Sequence, residues 1–342
     1  MLLARYITRP TIRSRGTKGI MIPRILYKVA ILFLFYIAIL TFQFILFRLA
    51  FPDPTIIYLR EGLGPEEREI IRRSFGLDKP LYEQYVLYIT NFLRGDMGFS
   101  FLYKVPVKEI VIDRLLSTMI LVMPAIATAY LAAWLIGSYM AWKRGSLVEK
   151  TVLSILTLIH SLPLFWIGLI VLIVFAVELR IFPPGGMRTP PYEAASFIDK
   201  IASLDFLYHW ILPYLVLTLY IMSGPALLMR ASMISTMGED FIMTLRAVGH
   251  SERRVMRDAS RYSILPLITQ LGITIGLSFA GSVAFETVFS WPGIGRELVI
   301  AFNSLDYPLA QGIFAIMSLA IITSNTVADI LYSYLDPRVK RL

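Results

Sequence analysis

The sequence predicts an all-α membrane protein with six transmembrane helices and a small helical extracytoplasmic segment between the first two. Of its 342 residues, 56% are hydrophobic and only 17% are charged, a balance too apolar for a soluble globule of this size. Six long apolar runs are each long enough for a helix to cross about 30 Å of hydrocarbon. The predicted spans are residues 26–50, 115–142, 151–177, 209–229, 262–287 and 308–335.

Basic residues are concentrated in the segments that six spans would place on one side of the membrane. A basic tail covers residues 1–25, and the segments 1–28, 143–150, 230–261 and 336–342 together hold 19 basic and 6 acidic residues. The positive-inside rule therefore predicts a multi-pass protein of the cell (plasma or inner) membrane with both termini in the cytoplasm. This asymmetry, with anionic membrane lipids as partners, accounts for the net charge of +9 without nucleic-acid binding.

Between the first two spans, residues 51–114 form the predicted extracytoplasmic segment. Pro80 favours the start of one helix and Gly95 its end, and a shorter helix is expected at 65–75. These helices indicate a small cap and not a separate enzyme. Two later outer loops are expected to be rigid turns because of their proline and glycine content, namely PPGG at 183–186 and WPGIG at 291–295.

The loop at residues 230–261 is charged and lies between two apolar runs. Its pattern predicts two short amphipathic helices separated by Gly249, a residue that favours the left-handed conformation at a helix end. The first helix, 240–248, is expected to place Phe241, Ile242, Leu245 and Val248 on one face. The second, capped by Ser251, is expected to carry Val255, Met256 and Ala259 along one side, with Arg253, Arg254, Arg257 and Arg261 facing elsewhere. Such a loop is predicted to bind a partner outside the membrane.

The fifth span combines small and polar residues in an otherwise apolar run. Gly272 and Gly276 are spaced for close helix approach. Charged residues at span ends, namely Glu178, Glu286 and Asp329, favour an interfacial or structural role over a substrate or proton site, and Glu286 is expected at the outer mouth. The candidates for a translocation path or for close helix packing, two alternatives that the sequence leaves open, are Gln270, Thr274, Ser278, Ser282 and Glu286.

Motifs for catalysis are missing from the sequence. It contains neither a GxxxxGK(S/T) phosphate loop nor an HExxH zinc motif, and it has no cysteine. The three histidines do not form a ligand set at helical spacing. The chain is therefore not expected to be an enzyme or to hold a metal, and ATP hydrolysis would have to reside in another chain.

Several different short sequence motifs are distributed along nearly the whole chain, chiefly in the outer segments and at span ends. They are FGLDKPL at 75–81, QY at 84–85, LRGD at 93–96, PV at 106–107, SLP at 161–163, FPPGG at 182–186, ETVFSWPGIG at 286–295, DYP at 306–308 and DPR at 336–338. In these motifs the chain resembles the permease subunit of binding-protein-dependent ABC importers of the dipeptide/oligopeptide (peptide, nickel and oligosaccharide) class. The resemblance implies a type I ABC importer permease fold and transport by alternating access.

In that family the charged loop is the EAA loop, whose short helices dock on the ATP-hydrolysing subunit. The resemblance implies ATPase contact by the coupling residues Leu245, Arg246, Ala247, Val248, Gly249, His250, Ser251, Glu252, Arg253, Arg254 and Arg257. Met243 and Thr244, followed by Leu245, stand where the family signature has glutamate and alanines. The implied partners are a homologous second permease, two ABC ATPases that bind ATP and Mg, and an extracellular substrate-binding protein. No cofactor is expected in this chain.

Three functions remain open at the level of the sequence. The leading one is the permease of an ATP-driven importer for short peptides, or for oligosaccharides. The second is a secondary transporter driven by an ion gradient through Glu286 or Asp329. The third is a membrane receptor or scaffold that recruits cytosolic factors without transport.

Overall fold

The computed structural model describes residues 17–50, 78–191, 197–278 and 283–335, and most of these residues are helical. Within those ranges the helices are α1 (Thr17–Ala50), α2 (Leu81–Leu93), α3 (Val107–Trp142), α4 (Leu147–Ser161), α5 (Leu164–Leu172, continued by a π-helical turn, Ile173–Glu178), α6 (Phe197–Ile201), α7 (Leu204–Met237), α8 (Asp240–Ala247), α9 (Glu252–Tyr262), α10 (Leu265–Ser278), α11 (Val283–Val288), α12 (Ile294–Asn303) and α13 (Tyr307–Leu335). The predicted all-α architecture is confirmed.

Four of these helices are long and apolar enough to cross a membrane, namely part of α1 (Leu26–Leu49), α3, α7 and part of α13 (Tyr307–Val327). Two of them exceed the predicted spans. Helix α3 begins eight residues before the predicted start at 115, so the last part of the predicted outer segment is continuous with the span. Helix α7 ends at Met237, so residues 230–237, predicted as loop, are helical. At 1.5 Å per residue, α3 is about 54 Å long and must project beyond the hydrocarbon.

The third span is bent, contrary to the prediction of one continuous helix at 151–177. Leu147–Ser161 and Leu164–Glu178 meet at an angle of 102°. The break falls at Leu162, whose φ of −92° and ψ of 148° are extended. The cause is Pro163, because a proline ring disfavours the helical conformation of the residue before it. The third span is therefore sharply bent at residues 161–164, and we call this bend the elbow.

In the fifth span, predicted at 262–287, helix α10 begins at Leu265 and is described to Ser278. Helix α11 follows from Val283, and residues 279–282 between the two are not among those that the structure describes. Ser282 thus lies outside the described residues, as does the expected helix at 65–75. In the predicted extracytoplasmic segment, α2 has Pro80 at its N-cap, and Gly95 follows its end with a φ of +79°. The helix predicted from Pro80 to Gly95 is confirmed.

The core of the molecule lies between α3 and α7, which make the most extensive helix contact in the described ranges. Small side chains such as Ala129, Ala133 and Ala226 are completely buried there, so the two helices approach closely. Helix α13 packs against α10, α1 and α3, while α2 lies against α1. The loop helices α8 and α9 close one end of the α3–α7 pair, and the turn that carries Trp291 closes the other.

Candidate functional site

Helices α8 and α9 are arranged as a helix–glycine–helix unit, which we call the loop unit (residues 240–262). Gly249 has a φ of +86°, and it follows α8 as a left-handed C-cap. The N–H of Gly249 donates to the carbonyl of Arg246 (3.0 Å), and the N–H of His250 donates to that of Leu245 (3.1 Å). The predicted role of Gly249 is confirmed. Ser251 occupies the N-cap position of α9, but its side chain makes no capping hydrogen bond.

The apolar face of the loop unit is buried against the ends of α3 and α7. Ile242, Val255 and Ala259 are completely buried and share one core with residues of both spans. Val248 was expected on this face but is 72% exposed. The reason is that α8 ends at Ala247, so the helical periodicity no longer determines the direction of the Val248 side chain.

Small polar side chains connect the loop unit to the spans. The hydroxyl of Ser260 lies 3.0 Å from that of Ser138 in α3. Just after α9, the carbonyl of Ser263 accepts a hydrogen bond from the hydroxyl of Ser232 (2.8 Å), and the hydroxyl of Ser263 donates to Thr236 (2.8 Å), both partners being in α7. Sequence reasoning missed these contacts, because nothing in the spacing of the serines shows which of them meet. They hold α9 to both helices of the core.

The opposite face of the loop unit is exposed. All the coupling residues predicted from the family resemblance are exposed except Leu245 and His250, which are half-buried. Arg253 and Arg257 project about 160° away from Val255 on a helix with 3.6 residues per turn, so they point away from the helix bundle. An ion pair of 3.2 Å between Arg246 and Glu252 spans the turn.

An open cleft of 440 Å³ separates the two loop helices. It is lined by Phe241 and Leu245 from α8 and by Asp258, Arg261 and Tyr262 from α9. The ring centroids of Phe241 and Tyr262, which both line it, lie 4.8 Å apart. The cleft therefore combines apolar and charged lining residues, features suited to receiving a side chain of another protein.

The described candidates in the fifth span are chiefly in packing contacts. The hydroxyl of Thr274 lies 2.6 Å from that of Tyr130 in α3, and the hydroxyl of Ser278 donates to the carbonyl of Thr274 (2.6 Å). A Cβ at Gly276 would lie 3.0 Å from Asn325 in α13. The contacts of Thr274 and Gly276 with other helices favour close helix packing, whereas Ser278 bonds within its own helix and Gln270 has an exposed side chain.

Glu286 is buried inside the Trp291 turn (residues 286–296), where it is only 2% exposed. Its carboxyl group accepts hydrogen bonds from the hydroxyl of Thr118 in α3 (2.8 Å) and from the N–H of Arg296 (2.9 Å). The indole N–H of Trp291 donates to the carbonyl of Ser117 (2.8 Å). The carboxyl group is thus enclosed and does not line an open mouth, which favours the structural role over a substrate or proton site.

The remaining titratable candidates do not come together. Glu178 is exposed at the end of the π-helical turn, and the side chain of Asp329 lies outside the described residues. His160 contacts Ser223 (3.2 Å), and the ring of His209 lies 2.9 Å from the carbonyl of Asp205. Within the described part of the chain, no group of three His, Asp or Glu side chains could hold a metal ion.

Comparison with known proteins agrees with this architecture. Residues 133–341 match the family described as "binding-protein-dependent transport system inner membrane component", and residues 19–122 match the N-terminal model of the same kind of component. The chain belongs to this family. As a membrane permease, it has the type I ABC permease fold, and its apolar helices are those of a multi-pass membrane protein.

Three relatives of this permease cover nearly its whole length. The dipeptide transport system permease protein DppB of Escherichia coli K12 is 32% identical over 320 residues, which are 89% of this chain and 94% of the relative. The oligopeptide transport system permease protein AppB of Bacillus subtilis 168 is 32% identical over 300 residues (87% and 93%). The di/tripeptide transport system permease protein DppB of Pseudomonas aeruginosa UCBPP-PA14 is 34% identical over 319 residues (90% and 94%).

Proposed function

We propose that this permease imports short peptides with energy from ATP-hydrolysing partner subunits that bind the loop unit. The observation that carries the proposal is the two-sided construction of that unit. One face is buried and hydrogen-bonded to α3 and α7, and the other face is exposed and basic. The names of the relatives support peptides as the substrate class. ATP and Mg bind to the partner subunits, and this chain needs no cofactor.

The proposed assembly contains a homologous second permease, two ABC ATPases and an extracellular substrate-binding protein. Both termini and the loop unit lie in the cytoplasm, as the distribution of basic residues supports. Nucleotide-driven closure of the ATPases displaces the loop unit, and α3 and α7 follow because α9 is hydrogen-bonded to both. Rotation of such a rigid group opens the pathway to alternate sides of the membrane.

The exposed charge of α9 specifies the chemistry of its partner surface. Arg253, Arg254 and Arg257 are exposed, and no ion pair in the described part of the chain involves any of them. An acidic surface on the ATPase complements this face and fixes the orientation of docking. Anionic lipid is the weaker alternative, because Arg253 and Arg257 point away from the helix bundle.

The test is a charge reversal on this face. In the reconstituted complex, Arg253→Glu/Arg257→Glu should abolish co-purification of the ATPase and ATP-dependent peptide uptake, because two repulsive contacts replace two attractive ones. The matched control, Arg253→Lys/Arg257→Lys, keeps the charge and should retain both. Vesicles that take up peptide from an ion gradient without nucleotide would contradict the proposal. So would a reversal variant that binds the ATPase normally, or wild-type protein that binds ATPase without transporting peptide.

A further inference from the structure

An ion pair between a buried carboxylate and a half-buried guanidinium group lies apart from the loop unit and is not used by the mechanism above. Glu149, in the first turn of α4, has a side chain that is 5% exposed, and its partner Arg230 lies in α7. One carboxylate oxygen accepts hydrogen bonds from Nε of Arg230 (2.8 Å) and from one of its terminal nitrogens, and the other accepts the N–H of Gly145. Glu149 therefore joins the 143–146 turn, α4 and α7 at one point.

The position of Arg230 connects this pair to the loop unit. Seven residues separate Arg230 from Met237, where α7 ends, a distance of about 10 Å along a helix. The loop unit begins three residues later. A movement of the loop unit that turns the end of α7 must also move Arg230, because the two belong to one unbroken helix.

Helix α4 is otherwise held on one side only. Leu156 is buried against α7, whereas Leu147, Ile155 and Leu158 on other faces of α4 are exposed. After Ser161 the chain turns through the 102° elbow. Apolar contacts resist separation but are not directional, so they allow a helix to slide or turn. A charged hydrogen-bonded pair has a defined geometry, so it prevents both sliding and turning of the helix.

A second polar contact stands at the far end of α4. The ring of His160 lies 3.2 Å from the hydroxyl of Ser223 in α7, next to Gly224. A Cβ on Gly224 would lie 3.1 Å from that ring, so the glycine gives the histidine room. Helix α4 is therefore attached to α7 by polar groups at both ends and by apolar packing between them.

We propose that Glu149 and Arg230 form a positioning pair that makes α4 move together with α7 during transport. The inference rests on the proposed function, since the movement starts at the loop unit. Without the pair, the ATPases still bind the loop unit and hydrolyse ATP, because neither residue lies on its exposed face. Helix α4 and the bend of the third span then do not follow the movement of α7. ATP is still hydrolysed, but fewer peptides are taken up per ATP.

The experiment measures peptide uptake and ATP hydrolysis in the same vesicles of the full complex. Arg230→Glu and Glu149→Arg should each lower the number of peptides carried per ATP by about tenfold, with hydrolysis little changed, because each leaves two like charges facing each other. The exchange variant Glu149→Arg/Arg230→Glu should recover about half of the wild-type ratio. Recovery is incomplete because an arginine cannot accept the N–H of Gly145. A purely structural role would lower uptake and hydrolysis in parallel.

A neutral variant covers the case in which single reversals do not assemble. Glu149→Gln/Arg230→Gln removes both charges, so it should fold and bind the ATPases, yet it should remain poorly coupled because no ion pair fixes this end of α4 to α7. Normal coupling in this variant would overturn the proposal, and so would an assembled exchange variant that stays as uncoupled as the single variants. If wild-type vesicles show no ATP-dependent uptake, the proposed function itself fails. If wild-type vesicles do show ATP-dependent uptake and the variants carry as many peptides per ATP as wild type, only the proposed role of the pair fails.

Discussion

The enclosed carboxyl group of Glu286 leads to a sharp prediction about two neighbouring glycines. A Cβ at Gly293 would lie 2.5 Å from the carboxyl carbon of Glu286, and its nearest contacts are all atoms of that carboxyl group. Gly293 itself has a φ of −92° and a ψ of 175°, which alanine adopts without strain. The nearest obstacle to Gly293→Ala is therefore the side chain of Glu286. We expect Gly293→Ala to destabilise the permease and Glu286→Ala to relieve that effect.

The magnitudes follow from the contacts. Gly293→Ala overpacks the turn, which typically costs about 1–3 kcal/mol. Glu286→Ala leaves the hydroxyl of Thr118 and the N–H of Arg296 without their acceptor, at about 1–3 kcal/mol for each donor. In the double variant the new methyl group occupies the vacated space. The overpacking cost disappears, so the two changes should be non-additive by about 1–3 kcal/mol.

The assay is a double-mutant cycle on detergent-purified protein, read as the midpoint of thermal unfolding. The double variant should melt at or slightly above Glu286→Ala alone, although Gly293→Ala alone melts well below wild type. Gly295→Ala provides the matched control. A Cβ there would lie 3.0 Å from Glu286 but also 3.0 Å from the backbone of Val283. Truncating Glu286 cannot relieve the second contact. Additive effects at Gly293, or equal relief at both glycines, would refute the reasoning.

Three further predictions concern other contacts of the fold. Gly249→Val should weaken ATPase binding, because a left-handed φ of +86° costs a β-branched residue about 1–2 kcal/mol. The control Gly249→Asn should retain ATPase binding. Equal binding by the two variants would contradict this prediction. Gly276→Val should lower the unfolding midpoint, because its side chain meets Asn325; an unchanged midpoint would place α10 farther from α13. The carboxylate of Asp306 accepts hydrogen bonds from Ser100 and from two backbone N–H groups. Asp306→Ala should therefore expose the turn that is closed by a β-bridge between Phe99 and Pro106 to limited proteolysis, and Asp306→Asn much less, whereas equal cleavage would show that the carboxylate does not anchor this turn.

The sequence predicted the loop unit well because the controlling signals are local. Gly249 sets the break between the helices through its own backbone, and the apolar spacing at Val255 and Ala259 selects the buried face of α9. Val248 was placed wrongly because the pattern continues past the residue where α8 ends. An error of one residue at a helix end is enough to place a side chain in solvent instead of the core.

The bend of the third span and the ion pair could be predicted less well. Pro163 was visible inside the apolar run, but hydropathy alone does not distinguish a straight span from an elbow. Glu149 and Arg230 are separated by 81 residues in the chain, and the sequence gives no sign that they meet. The sequence indicated that an ionised Glu286 is energetically costly in hydrocarbon. It did not indicate that the hydroxyl of Thr118, in another span, hydrogen-bonds to the carboxyl group. Tertiary contacts of this kind become evident only once α3 and α7 are packed.

Helix α3 connects the loop unit to the opposite end of the permease. Ser138 contacts the loop unit, Tyr130 contacts the fifth span, and Thr118 binds Glu286 in the Trp291 turn. Ser138 and Thr118 are twenty residues apart, which is about 30 Å along a helix. Each contact is a directional hydrogen bond at a different level of the same helix, so α3 resists rotation relative to the fifth span at both ends. In the proposed importer, a displacement applied at Ser260 is therefore carried by α3 to the Trp291 turn, and α10, which Tyr130 contacts through Thr274, moves with α3.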